Sequence, residues 1–295
     1  MILSLLFFTF SFVFYLLTAL LYVGNWVFKK KWLGQTATAM SIVALFSTTM
    51  ILIVRAKESG HAPFSNLYES MMLFVWAVNV GYIAMEYKYK FKVMGVFVMA
   101  FEFLAMLSAS LLPYKFKSAE PLNPALQNKW HWMVDLLSKI GYEKYAIGWL
   151  DFHVFTTFIG YAGFAISCGL SIMFLLKNRA EEKGGNNFLL DAFPESKILD
   201  ELSYRTIAWG FPFLAVGIVS GAVWANYAWG TYWSWDPKET WSLITWFIYA
   251  AYLHARVTRG WRGKKAAYLS VAGFAAVIFL YWGVSFILPG LHAYA

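Results

Sequence analysis

The sequence predicts an all-α polytopic membrane protein with about eight transmembrane helices and both termini outside. Three observations carry that expectation. Of 295 residues, 60% are hydrophobic and only 14% charged, roughly half the charged share of a soluble domain, and the mean hydropathy is +0.55. Apolar runs of about 20 residues, the length that crosses hydrocarbon as a helix, recur along the chain. Lysine and arginine gather on alternate connections between those runs, as expected of cytoplasmic loops.

The runs cover approximately 3–28, 35–54, 67–86, 93–112, 152–176, 206–226, 238–256 and 266–288. The first is too long for a signal-peptide core and is followed, not preceded, by Lys29–Lys31, so it reads as a retained span. With the N-terminus outside, four inner connections hold 16 of the 24 basic residues, among them Lys88, Lys177, Arg179, Arg256 and Lys264. The long outer loop, 113–150, contains an amphipathic stretch, Leu126–Ile140, that reads as a helix lying along the interface. The inner segment Glu181–Ser203 carries no recognisable chemistry. The seventh span starts with Asp236 as a cap, Pro237 at the first helical position and Glu239 three residues past the cap, a capping-box pattern. No internal repeat or low-complexity tract divides residues 1–295, which read as a single membrane domain.

The net charge of +8 is mostly topogenic. Its carriers are split among short loops rather than massed in one patch, which argues against nucleic-acid binding. The single cysteine, Cys168, excludes an intrachain disulfide, a Cys-x-x-Cys redox pair and a Cys-x-x-Cys-His site in this chain.

Six tryptophans, Trp224, Trp229, Trp233, Trp235, Trp241 and Trp246, surround Asp236 between two spans. Interfacial tryptophans are common, but this density in the outer loop 224–241 suits a large, flat, mostly apolar ligand. Asp236 serves that shelf, the helix cap, or both. Histidine is the usual protein ligand of haem iron, and topology sorts the five present. His153 at the start of the fifth span and His292 after the eighth both lie at the outer edge, where two imidazoles can clamp the iron of a porphyrin on the shelf. Asp151 orients a ligand or, more simply, caps its helix. His131 reads as a belt residue beside Trp130 and Trp132. His61 lines the same site or sits in a packed turn. His254 lies 18 residues after Asp236, about 27 Å of helix, at the inner face. It cannot share a metal with the outer histidines, so it is an end-of-helix residue or a ligand whose companion comes from another polypeptide.

The segment WGTYWSWDPKETWSLITWFIYAAYLHAR resembles the tryptophan-rich WWD signature of haem-handling proteins of cytochrome c biogenesis. Within that superfamily it is similar to the CcsA (ResC) family of System II, as are SGHAPFSNLYES around His61 and LPGLHAYA around His292. The likeness runs from about residue 40 onward. It implies non-covalent haem b held by His153 and His292 at a shelf of Trp229, Trp233, Trp235 and Asp236, and a membrane site at His254 completed by a ResB/CcsB-like partner. It implies a holocytochrome-c synthase (haem lyase) activity shared with that partner, which attaches haem to Cys-x-x-Cys-His motifs of apocytochromes c. Positioning, rather than acid–base catalysis, is the expected contribution of the chain, and no catalytic side chain is assigned. The implied location is the bacterial inner membrane, or the thylakoid membrane if the gene is plastid-encoded, with the haem site on the extracytoplasmic side. Two rivals remain: a CcmC-type exporter loading a haem chaperone, which would need fewer spans, and a b-type electron-transfer subunit, which would need a second histidine at the depth of His254.

Overall fold

The computed structural model describes residues 2–113, 117–118, 127–184, 188–288 and 290. The apolar runs become helices: α1 (Ile2–Phe28), α2 (Lys31–Ser59), α3 (Leu67–Tyr89) and α4 (Gly95–Leu111), the last entered through a 3₁₀ turn at Lys92–Met94. A short α5 (His131–Ser138) precedes α6 (Trp149–Glu182), α7 (Ser196–Trp229), α8 (Pro237–Thr258) and α9 (Lys264–Ile278). A π turn, Phe279–Gly283, carries α9 into α10 (Val284–Ile287). Among the described residues, β pairing is confined to one isolated bridge, Lys129 to Gly148.

Seven helices, counting α9 with its continuation to Ile287, are long and apolar enough to cross a membrane. The protein is therefore an all-α, multi-pass membrane protein. The eighth long helix, α8, has 22 residues, about 33 Å and a spanning length. Lys238, Glu239, His254, Arg256 and its several indoles and phenols dilute its aliphatic content, which is why it falls outside the seven. The amphipathic outer stretch is helical over His131–Ser138, with no buried residue. Its beginning, residue 126, lies outside the described residues.

Helix ends follow local chemistry. The Asn66 side chain caps α3 by accepting from the Glu69 N–H at 2.9 Å, and Gly60 and Gly230 close α2 and α7 in the left-handed region at φ 76° and 82°. Consecutive long helices run in opposite directions. The tryptophan loop and the α2–α3 turn share one end of the bundle, and the α3–α4 turn, the α6–α7 connection and the α8 C-terminus share the other.

α6 is the most enclosed span and packs most extensively on α7. Small residues permit that approach, the usual basis of helix association in lipid. A Cβ at Gly163 would lie 3.1 Å from the Thr206 carbonyl oxygen and 3.2 Å from the Gly210 Cα, and one at Gly210 would lie 2.9 Å from the Gly160 carbonyl oxygen. Further along α7, Gly217 packs on Thr157 and Gly221 lies under the ring of His153. Buried ion pairs lock other seams: Arg55 of α2 donates to Glu69 of α3 at 2.9 and 3.1 Å, and Arg256 of α8 meets Asp200 of α7 at 2.7 Å.

Gly163→Leu drives a side chain into backbone that cannot yield, a cost of about 1–3 kcal/mol. The detergent-solubilised protein should unfold at a lower temperature, whereas Val219→Leu on the exposed face of α7 should leave the midpoint in place. Equal midpoints for the two variants would contradict the packing described.

Candidate functional site at the tryptophan loop

The loop from Gly230 to Asp236 is held by one carboxylate. Glu239 accepts from the Ser234 N–H at 2.7 Å and from the Asp236 N–H at 3.2 Å, while Asp236 accepts from the Lys238 N–H at 2.9 Å. The capping box read in the sequence is therefore formed, with both acids buried. The Thr231 hydroxyl donates to the Trp233 carbonyl at 3.1 Å, and the Thr240 hydroxyl to that of Trp235 at 3.2 Å. Trp235 occupies the left-handed region at φ 59°, which turns successive indoles to different sides. Trp233 lines a cavity and Trp235 is 67% exposed, their rings edge to face at 5.7 Å and 90°.

The cavity has a volume of about 360 Å³, within the range of small-molecule sites. It opens between α6, α7, the start of α8 and the π turn, and Trp224, Trp233 and His153 all line it. The His153 imidazole lies against Gly221, where a Cβ would approach its Nδ1 and Cε1 to 2.6 Å. Its Nδ1 is 2.6 Å from the carbonyl oxygen of Gly217. That oxygen can only accept, so Nδ1 carries the proton and, in the neutral ring, Nε2 carries the lone pair. A backbone carbonyl fixing the tautomer in this way is the usual support of a metal-binding histidine.

The other expected residues separate. Trp229 packs edge to face on Trp224 at 4.9 Å and 80° and so backs the cavity wall. Trp241 turns into the bundle against Phe279, ring centroids 4.3 Å apart, and supports the loop from below. Asp151 accepts from the Gly148 N–H at 2.9 Å and faces the buried His61. It caps α6, and the Gly217 carbonyl orients His153. His61 donates from Nδ1 to the Ala62 carbonyl at 2.7 Å, while its neighbours Phe64 and Ser65 reach the cavity wall. His131 is exposed beside the stacked Trp130 and Trp132. His254 is exposed on α8 at the opposite end of the bundle, and its imidazole has no hydrogen-bonding partner among the described residues. His292 lies outside the described residues. Two residues before it, Gly290 sits against Asp236 and Pro237.

Residues 143–292 match the family described as Cytochrome C assembly protein. The chain is 39% identical to the cytochrome c biogenesis protein CcsA of Guillardia theta over 303 aligned positions, which cover 96% of this chain and 94% of that one. It is 39% identical to CcsA of Gloeobacter violaceus, over 89% of this chain and 87% of the relative. With CcsA of Chlamydomonas reinhardtii the identity is 43%, over 83% of this chain and 64% of the longer algal protein. The chain belongs to the CcsA family of cytochrome c biogenesis proteins. Its fold is also that of a solved structure, "Cytochrome c Heme Lyase CcmF", at TM-score 0.68 and 17% identity. The match covers 95% of this chain and 46% of CcmF, so the chain spans just under half the length of that protein.

Several residues of this CcsA family member that shape the cavity carry no mark in the sequence. Leu280 and Tyr281 line it because the π turn redirects them out of an otherwise regular apolar run. The Tyr281 hydroxyl donates to the Leu67 carbonyl at 3.1 Å and pairs with the Ser70 hydroxyl at 2.6 Å, tying α9 to the start of α3. Lys238 lines the wall beside Asp236. It was legible only as part of the helix start.

Glu239→Ala removes the acceptor of two loop amides. Hydrogen bonds to a charged group are worth about 1.5–3 kcal/mol, so amide protection at Ser234 and Asp236 should fall at least about tenfold in hydrogen exchange followed by mass spectrometry. Unchanged protection would mean that the loop is held by something other than this carboxylate.

Proposed function

We propose that the protein binds haem b non-covalently at the tryptophan-loop face and, with a ResB/CcsB-like membrane partner, presents it to Cys-x-x-Cys-His motifs of apocytochromes c for covalent attachment. The observation that carries this reading is the setting of His153. It is an imidazole whose Nδ1–H is held by the Gly217 carbonyl, on the wall of a cavity that Trp224 and Trp233 also line. An apolar, aromatic wall with one nitrogen lone pair suits a flat macrocycle with a ligand-seeking metal. CcmF, whose fold the chain shares, is a cytochrome c haem lyase by name, and the family membership places the protein in cytochrome c biogenesis.

His292 is the proposed second ligand. Gly290 lies against Asp236, and a residue two positions further on is within about 7 Å of chain, which supports the assignment. Trp229, Trp235, Asp236 and Trp241 shape and support the ledge. Lys238 on the cavity wall is placed to pair with a carboxylate of the substrate.

Haem brings the iron and the two vinyl groups. The chain contributes orientation: imidazoles fix the iron, the indole wall fixes the ring plane, and the open side of the loop leaves the vinyl edge for cysteine thiols. Thiol addition to a vinyl conserves all atoms, so holding both reactants in register is the main catalytic demand. At the opposite end, exposed His254 is proposed as a second haem ligand whose companion comes from the partner. The alternate distribution of Lys and Arg supports a tryptophan loop on the extracytoplasmic side of a bacterial inner membrane, or on the corresponding side of a thylakoid membrane.

His153→Ala should lower haem occupancy of the purified protein about tenfold or more, read from its Soret absorbance, with a matching loss of holocytochrome c in cells. Gly221→Ala, which pushes the imidazole aside, should do the same to a lesser degree, in line with the 10–100-fold cost of disturbing ligand support. Full occupancy in both variants would refute the site. His254→Ala should reduce haem content when the partner is co-expressed and have no effect when it is absent. An effect of equal size without the partner would remove the shared-ligand proposal.

A further inference from the structure

The helices α1 to α4 lie outside the family match at 143–292, and their interior is chemically unlike that of a membrane bundle held by apolar packing. Among the described residues of α1, the fully buried ones are Ser4, Ser11, Tyr15, Thr18 and Tyr22. Every one bears a hydroxyl, and their spacing places them on one face, while leucines and phenylalanines of the same helix face outward.

All of these hydroxyls but that of Thr18 join groups on α2 and α3. At the end opposite the tryptophan loop, Glu86 accepts from Tyr22 at 2.6 Å, Tyr82 at 2.5 Å, Thr38 at 2.6 Å and Lys92 at 2.7 Å. One turn further in along α2 and α3 a second group begins. The Ser41 hydroxyl donates to the Asn79 side-chain oxygen at 2.8 Å, and the Asn79 amide donates to the Tyr15 hydroxyl at 2.9 Å. The chain continues to Thr48 and Ser11 at 3.3 Å each. It stops there, because Ile51 and Val54 fill the next two turns of α2 before the separate Arg55–Glu69 pair. Two polar groups thus lie in series, the first at one end of the bundle and the second inside the membrane.

Glu102 of α4 stands alongside this second group. It is 0% exposed, and neither of its carboxyl oxygens has a hydrogen-bonding partner among the described residues. The Thr18 hydroxyl is likewise buried without one. Gly95, seven residues earlier in α4, packs on Tyr22 and Tyr82. The same rise along antiparallel α1 leads from Tyr22 to Tyr15, which sets Glu102 level with Tyr15. From α6, Gly169 meets α4 only through Phe97, Val98 and Phe101. Hydroxyls and an asparagine alone would be ordinary interhelical glue. A carboxyl that bonds to nothing holds no helices together, and carrying it as an unpaired anion in this interior would be prohibitive.

We infer that Glu102 is a proton-binding carboxyl in the membrane interior, charged and discharged through the hydroxyl path from the end opposite the tryptophan loop. Each transfer breaks one O–H bond and forms another, except at Asn79, where the amide oxygen takes a proton from Ser41 and the amide nitrogen gives one up to Tyr15. No electron moves, and the proton resides on a Glu102 oxygen. The intramembrane ligand is H⁺, and the half-path gives this protein a proton-handling element separate from its cytochrome c site.

Infrared spectroscopy of the full-length protein in lipid vesicles tests this directly. At neutral pH the wild type should show the carbonyl stretch of an un-ionised carboxylic acid, and Glu102→Gln should remove it with little change in melting temperature. On transfer to D₂O that band should shift within minutes in the wild type and at least about tenfold more slowly in Tyr15→Phe, which keeps the ring but interrupts the path. No such band in the wild type, or a band that ignores D₂O for hours, would overturn the inference without reliance on any variant. A melting temperature that responds to sodium, with no acid band, would assign the site to that ion and overturn it equally.

Discussion

The close approach of α6 and α7 is the constraint on which the candidate site depends. Gly160, Gly163, Gly210, Gly217 and Gly221 bring two long helices together along one seam. Without side chains on α7, its carbonyl groups and Cα atoms stand within reach of α6 side chains. The result at one end is a hydrogen bond from His153 to the Gly217 backbone. Packing thereby decides a question of chemistry, namely which imidazole nitrogen keeps its lone pair. A bulkier α7 would separate the helices and leave the ring free to rotate.

The fold was legible because the membrane imposes it: long apolar runs must become helices, and basic connections alternate with neutral ones. The start of α8 was equally clear, since Asp236, Pro237 and Glu239 supply a cap whose geometry is local. What escaped the sequence was whatever depends on two distant segments. That Gly217, rather than Asp151, orients His153 follows from helix crossing, which no spacing in one helix reveals. Trp241 belongs to the same tryptophan cluster as Trp233, yet one turn of α8 sends it against Phe279 instead of the cavity. The α9 π turn hides in an apolar run because FLYWG has no residue that marks it. Glu102 went unremarked within its apolar run, because the polar groups of α1, α2 and α3 near its level come from helices whose pairing only the fold supplies.

The two halves of the chain solve different physical problems. From α6 onward, close-packed glycines and aromatic rings build a walled recess at one end. In α1 to α4, hydroxyls, an amide and acids occupy the interior while apolar side chains face lipid. The halves meet where Tyr281 of the π turn bonds to Leu67 and Ser70 at the start of α3 and where Phe64 and Ser65 complete the recess. The α2–α3 turn is therefore common property, and disturbance in the first half has a mechanical route to the second.

The π turn also sets an angular phase. One additional residue in a helical turn rotates everything after it by about 100° relative to an uninterrupted α-helix. Residues 284–288 and Gly290 owe their azimuth to that single insertion, including the contact of Gly290 with Asp236. A one-residue deletion anywhere in Phe279–Gly283 would straighten the helix while swinging its C-terminal tail a quarter-circle away from the ledge. Length in this short segment thus matters more than the identity of most side chains within it.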